Sequence, residues 1–247
     1  MEMTLTEPFY ARGGHFAIDF AGAHALFTTR RGGCSSGAYA SLNLGGVTDD
    51  DPDAVERNRA IMQAEVGARL AFVRQVHGAH VRLITAGTDE RSRLQQADGQ
   101  ATALGVVAPA VLVADCLPIA LAGGGAVAIL HAGWRGLAVG VVAEGVRRVL
   151  ELGAEPPLIA AIVPGAGACC YEVGPEVHAA FSGLPGSVHR GRHLDLKAIA
   201  RHQLEQANVE EIHDIALCMI CSESSLFYSH RRDRGVTGRQ AGIAWLS

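Results

Sequence analysis

The stretch from Val106 to His131 constrains the fold of this chain more than any other. Val106 to Ala114 is an apolar, β-branched run that ends at Asp115-Cys116. Leu117 to Ala122 is a second run, and Ala126 to His131, after a Gly123-Gly124-Gly125 turn, is a third. Runs of this kind predict buried strands, and the last two predict a hairpin. If neighbouring strands carry them, Cys116 and His131 emerge at the same end of a sheet, where ligand sites of open sheets usually lie.

The elements around this stretch alternate in kind. His24 to Arg30 predicts a strand that runs into the Gly/Ser-rich loop RGGCSSGAYASLNLGG. Asp51 as N-cap and Pro52 at the first helical position predict a helix to about Val66. Leu70 to Val76 and Val81 to Thr85 predict strands flanking His77, which then falls at a strand end or turn. After Trp134, the spacing of Val139, Val142, Val146 and Val149 predicts one amphipathic helix ended by Pro156-Pro157. Leu158 to Val163, Ile215 to Ile220 and Ser225 to Ser229 predict strands, and Pro175 to Phe181 and Asp195 to Asn208 predict helices. Interleaved strands and helices with hairpin pairing predict an α/β (α+β) fold with a mixed sheet.

Composition removes several classes. A length of 247 residues suffices for a sizeable core, as one large domain or two small ones. A net charge of −4 argues against nonspecific nucleic-acid binding. No apolar run is long enough to cross a bilayer. The N-terminus lacks the basic-then-apolar pattern of a secretory signal, so a cytoplasmic location and free thiols or metal ligands are expected. Lys197 is the sole lysine, so there is no GxxxxGK[ST] phosphate loop, and anions must be held by arginine or backbone N–H groups.

The chemistry concentrates in His77, Cys116 and His131, within RQVHGAH, VADCLPI and HAGWRG. Two imidazoles and a thiolate suit zinc, with a fourth position left open. Separations of 39 and 15 residues are too wide for a finger-type site and suit one assembled from separate elements. A Cys–His hydrolase with Cys116 as nucleophile is the alternative, although it needs only one histidine. Copper also accepts two His and a Cys, with an axial Met. None of Met1, Met3, Met62 and Met219 neighbours the trio in sequence, and no His-x-His pair occurs, which favours zinc. Cys218-x-x-Cys221 lacks a second spaced pair, because Cys169 and Cys170 are adjacent, so packing is the expected role. The run SHRRDRGVTGR is a candidate for binding oxyanions.

The ordered motifs TTRRGGCSSGAYASLNLG, DDDPDAVERNR, RQVHGAHV, ADG, ADCLPI, HAGWRGL, CCYEVG, LDL and SHRRDRGVTGRQAG resemble the YfiH-like, or laccase-domain, family, also labelled polyphenol oxidase or peptidoglycan editing factor. The resemblance runs over nearly the whole chain and implies a single layered domain over residues 1–247, with a fold related to a cysteine-hydrolase class. It also implies a zinc on His77, Cys116 and His131, and phosphorolysis of adenosine and inosine. Adenosine deamination and methylthioadenosine phosphorolysis are further activities it implies; an editing hydrolase of peptidoglycan precursors is the alternative. The chain departs from the family pattern at Val163 to Gly167 and at His230.

Phosphorolysis needs donors for phosphate, and Arg74, Arg135, Arg231 and Arg239 are the candidates. Trp134 and Tyr171 are candidate stacking surfaces for a purine, and Asn43 in the Gly/Ser-rich loop is a further candidate substrate contact. Deamination needs a carboxylate acid/base, and Asp115 lies nearest the ligands in sequence. The expected partners are purine nucleosides and phosphate, with neither nucleic acid nor membrane.

Overall fold

The computed structural model describes residues 5–20, 22–87 and 95–247. Two six-stranded sheets stack against each other, with helices on their outer faces. The first runs in the order β1 (Tyr10–Arg12), β2 (His15–Phe20), β3 (Ala23–Phe27), β14 (Gln240–Leu246), β7 (Val107–Val113) and β4 (Arg69–Ala71). The second runs β13 (Glu211–Asp214), β10 (Glu155–Ile162), β8 (Leu117–Gly124), β9 (Ala126–Ala132), β6 (Gly99–Thr102) and β5 (Val81–Ile84). A short ribbon pairs β11 (His189–Arg190) with β12 (His193–Leu194). The pairs β4–β7, β5–β6 and β10–β13 are parallel and the other ladders antiparallel, so both large sheets are mixed as expected.

Three apolar layers hold the stack together. Phe16, Phe27 and Val111 of the first sheet meet Val127, Ile129 and Ala161 of the second. On the outer face of the second sheet, α3 (Val141–Glu151) buries Val142, Val146 and Val149, and, after the short α4 (Pro175–Ala179), α5 (Leu196–Gln206) buries Ile199 and Leu204. On the outer face of the first, α1 (Pro52–Val66) buries Met62 and Val66 against Leu26 and Ile243. Covered on both faces, β9 is buried at every residue, which is why its sequence is apolar throughout. No helix among the described residues is long and apolar enough to cross a membrane.

Local signals hold where the controlling chemistry is local. Asp51 caps α1 by accepting from the Asp53 N–H at 3.1 Å, and Gly67 closes it at φ 75°. The expected β8–β9 hairpin forms, with Leu117 opposite Ala132. Five readings need correction. The helix after Trp134 is two helices, because Gly140 at φ 90° separates α2 (Trp134–Ala138) from α3. Val139 therefore leaves the apolar stripe and is 63% exposed. Gly153, at φ 85°, ends α3 rather than the prolines, which lie inside β10. The strand expected over Leu70 to Val76 stops at Ala71, and Ile215 to Ile220 and Ser225 to Ser229 form turns and loop. The last strand is instead β14, inside the first sheet between β3 and β7, and its Gly242 allows close approach of the second sheet: a Cβ there would lie 2.7 Å from Pro118 Cβ.

Candidate metal centre and groove

Strand alternation explains why the trio meets. On β8 and β9, Leu117, Ile119, Ala128 and Leu130 face the helices, whereas Ala120, Ala122, Val127 and Ile129 face the other sheet. Period-2 alternation places Cys116 and His131 on this second face. Pro118 stands opposite His131, so both donors lie at the open end of the hairpin. His77 enters from the loop before β5 with φ 61°, and Asp115 precedes the cysteine with φ 92°. Left-handed backbone at two non-glycine residues beside the cluster marks a place where structure is spent on positioning. The ligand atoms of His77, Cys116 and His131 all lie within 4.8 Å of one another. That spacing lets them converge on one ion at donor distances of about 2.0–2.3 Å.

Gly133 is the cradle behind the cluster. A Cβ there would stand 3.0 Å from Cys116 Sγ and 3.2 Å from His77 Cδ2, so a side chain would occupy space that the donors need. His131 and Cys116 are buried or half-buried and His77 is exposed, which leaves the His77 side reachable. Among the described residues no fourth ligating side chain joins this group. The residues present therefore fit a three-donor metal site.

Asp98 organises the cluster, and sequence reasoning assigned it no role. It is fully buried, and its Oδ1 accepts from His131 Nδ1 at 2.8 Å and from the His77 N–H at 2.8 Å. Its Oδ2 accepts from the N–H groups of Gly78 at 2.7 Å and Val76 at 3.2 Å. Burial pushes this carboxyl up, but His131 and those N–H donors outweigh it and hold it below the usual carboxylate range. Fixing Nδ1–H of His131 leaves Nε2 as the free donor. In the metal-free cluster, burial favours the neutral thiol of Cys116, yet the imidazoles of His131 and His77 bring it down to about 6. Burial likewise opposes charge on His131, but Cys116 and Asp98 push its pKa up to about 9.

A groove of about 760 Å³ is lined by Trp134, Arg135, Tyr171, Glu172, His178 and Arg231, among others; none of the three candidate ligands lines it, and it meets the cluster through Trp134, three residues after His131, and Tyr171, within electrostatic reach of Cys116. The Arg135 guanidinium stacks on Trp134 at 4.3 Å, and that of Arg231 on Tyr171 at 4.9 Å. Tyr171 lies within electrostatic reach of Cys116, Asp115 and Arg135; burial first, then the Cys116 charge, pushes its phenol up to about 12. Asp115 accepts from the Arg231 N–H at 2.7 Å through Oδ2, while its buried Oδ1 has no partner. Arg239 sits within reach of Asp115, Cys116 and Tyr39.

Two candidates fall elsewhere. Arg74 is exposed, and its backbone bridges Gln96, which steadies the segment leading to Asp98. Asn43 is fully buried: its amide donates to Thr48 and Asp50, and its carbonyl accepts from the N–H groups of Gly45 and Arg239. Both polar atoms of the Asn43 side chain are occupied in holding its loop, so it is not placed as a substrate contact. Asn58 pins the same loop, accepting from the Cys34 N–H and donating to the Asn43 carbonyl, each at 2.9 Å. Lys197 is engaged with Asp214 at 2.6 Å, away from the cluster.

Fold and cluster together define a layered α+β protein with a candidate metal centre at the end of a central hairpin. The chain belongs to the family described as multi-copper polyphenol oxidoreductase laccase, whose model matches residues 24–247. It is 40% identical over 237 residues to the purine nucleoside phosphorylase of Streptomyces coelicolor, covering 91% of this chain and 96% of that protein. It is 36% identical over 238 residues to purine nucleoside phosphorylase YfiH of Escherichia coli, covering 91% and 94%. The crystal structure of the Bacillus licheniformis hypothetical protein YfiH matches with a TM-score of 0.89 at 30% identity, covering 98% of this chain and 100% of that one.

Proposed function

We propose that this protein is a zinc-dependent purine nucleoside phosphorylase that cleaves adenosine and inosine with phosphate, giving free base and ribose 1-phosphate. The observation that carries the reading is the His77–Cys116–His131 cluster lying beside a groove with two guanidinium groups and two aromatic faces. The names of the relatives support the same reaction class. Zinc is favoured over copper because Met62 packs in the outer core and Met219 packs in the inter-sheet core, where its sulfur meets Gln240; neither supplies an axial thioether. Met1 and Met3 lie outside the described residues.

His77, Cys116 and His131 would hold the zinc, which when bound supplies Lewis-acid polarisation at a position left open to substrate. Arg135 and Arg231 present the charge and N–H geometry that a phosphate needs, and Arg239 adds positive charge near Asp115. Trp134 and Tyr171 offer faces on which a purine stacks. Tyr171 keeps its proton through neutral pH, so its hydroxyl donates to substrate. Asp115, whose buried Oδ1 has no hydrogen-bond partner, is the candidate acid/base group. The same oxygen favours hydrolytic deamination of adenosine as a second activity, and methylthioadenosine shares the bond that phosphorolysis breaks.

Chromatography of adenosine incubated with the protein, with and without phosphate, tests this reading. Phosphate-dependent adenine and ribose 1-phosphate are expected, lost on chelation and restored by Zn²⁺. Activity that survives thorough chelation but disappears on thiol alkylation would instead favour the Cys-dependent hydrolase.

A further inference from the structure

The four cysteines that sequence spacing left unconnected converge in space. Cys169 and Cys170 lie in the turn after β10, and Cys218 and Cys221 in the loop after β13. Their sulfur atoms all lie within 4.8 Å of one another, and Cys169 Sγ is 3.6 Å from Cys221 Sγ. Four sulfurs at about 2.3 Å from one ion form a tetrahedron with edges of about 3.8 Å. A disulfide requires about 2.05 Å instead. The packing role expected from sequence fits Cys218, which is buried, but not Cys169 and Cys221, which are exposed.

The backbone is arranged around the same sulfurs. Cys218 Sγ accepts from the Gly167 N–H at 3.2 Å and from the N–H groups of Ile220 and Cys221. N–H donors aimed at a sulfur favour its thiolate and orient it toward a cation. Gly167 carries no side chain where a Cβ would lie 3.2 Å from Cys169 Sγ and 3.3 Å from Cys218 Sγ. A bridge between Gly165 and Cys218, and the Met219 N–H bond to the Gly165 carbonyl at 2.8 Å, fix the two segments side by side.

We propose that Cys169, Cys170, Cys218 and Cys221 form a second, structural zinc site that clamps the segment carrying Tyr171 to the loop leading to Arg231. Four soft thiolates select zinc over hard cations and leave no open coordination position, so this ion takes no direct part in turnover. The site stands independently of the nucleoside reading, because none of its ligands belongs to the first cluster.

Metal analysis and cobalt substitution of the full-length protein test the proposal. About two zinc ions per chain are expected, and about one in both His77→Ala/His131→Ala and Cys169→Ser/Cys221→Ser proteins. With Co²⁺, the charge-transfer absorption of a four-thiolate site should persist in the histidine variant and be lost in the cysteine variant. Mass spectrometry after thiol alkylation of native, zinc-loaded wild type should find these four cysteines protected, a readout that needs no variant to fold. A histidine variant that binds neither Zn²⁺ nor Co²⁺ overturns the proposal. So do free reactivity of all four thiols in zinc-loaded protein and a Cys169–Cys221 disulfide after anaerobic purification.

Discussion

Asp98 and His131 are joined twice. The imidazole Nδ1–H donates to the buried carboxylate at 2.8 Å, and the His131 backbone N–H donates to the Asp98 carbonyl at 2.7 Å. Antiparallel pairing of β6 with β9, with Gly99 opposite Leu130, puts the two residues face to face. The same carboxylate also caps the turn that presents His77, so one side chain sets both imidazoles.

Asp98→Asn should therefore weaken zinc binding about 10–100-fold while the fold persists, because an amide cannot accept from His131 and from three backbone N–H groups alike. Competition against a chromophoric chelator measures this. An unchanged zinc affinity would remove Asp98 from its positioning role.

The metal-free protein should carry a thiolate–imidazolium pair. Cys116 is depressed to about 6, so its stabilising contribution is full above the ordinary thiol value and is lost as pH falls through about 6. His131 is raised to about 9, so its contribution is full below its ordinary value and is lost as pH rises through about 9. The two describe one coupled interaction, which is intact between those limits. Alkylation of Cys116 in metal-free protein should accelerate with a midpoint near 6, and thermal stability should fall on either side of this window. A midpoint at the ordinary thiol value would show that the pair does not form.

Gly133→Ala separates metal binding from folding. Gly133 has φ −76°, which alanine adopts without strain, and the new methyl meets Cys116 and His77. Zinc affinity should drop, whereas the Tm of the metal-free protein should move by no more than about 2–4 °C. Equal zinc affinity in variant and wild type would show that the cluster has room to spare.

Asn43→Ala should act on stability rather than on substrate affinity. Loss of the side chain strands the buried N–H group of Gly45 and the half-buried one of Arg239, at a cost of about 1–3 kcal/mol. Denaturant unfolding reads that cost. A raised nucleoside KM with unchanged stability would reverse this assignment.

Arg135→Ala should raise the KM for phosphate, and Arg135→Lys should not restore it, because the planar guanidinium also stacks on Trp134. Phosphate-dependence kinetics decide the matter; turnover unchanged at low phosphate would exclude Arg135 as a phosphate contact.

Features controlled by neighbours in sequence were readable from the chain. The start of α1 needs only Asp51 and Pro52, and the β8–β9 hairpin needs two apolar runs and a glycine turn. Asp98 was not readable as an organiser: it is one of 25 acidic residues, 33 positions from the histidine it orients. The thiol cluster was hidden for a related reason. Adjacent Cys169 and Cys170 lack the spacing of a familiar zinc motif, and the Gly165–Cys218 bridge, with the Met219 N–H bond to the Gly165 carbonyl, brings them to the second pair.

Residue types and the glycine turn by themselves determined that a hairpin of neighbouring strands would bring Cys116 and His131 to the same end of a sheet; the observed register then set both on one face, since side-chain direction along a strand repeats every two residues. Tertiary packing alone decided which carboxylate aims the imidazoles, which arginines reach the groove, and that Asn43 is spent on its own loop. Those choices rest on burial and on hydrogen bonds between segments distant in sequence, where one desolvated partner accounts for another and no local pattern records the match.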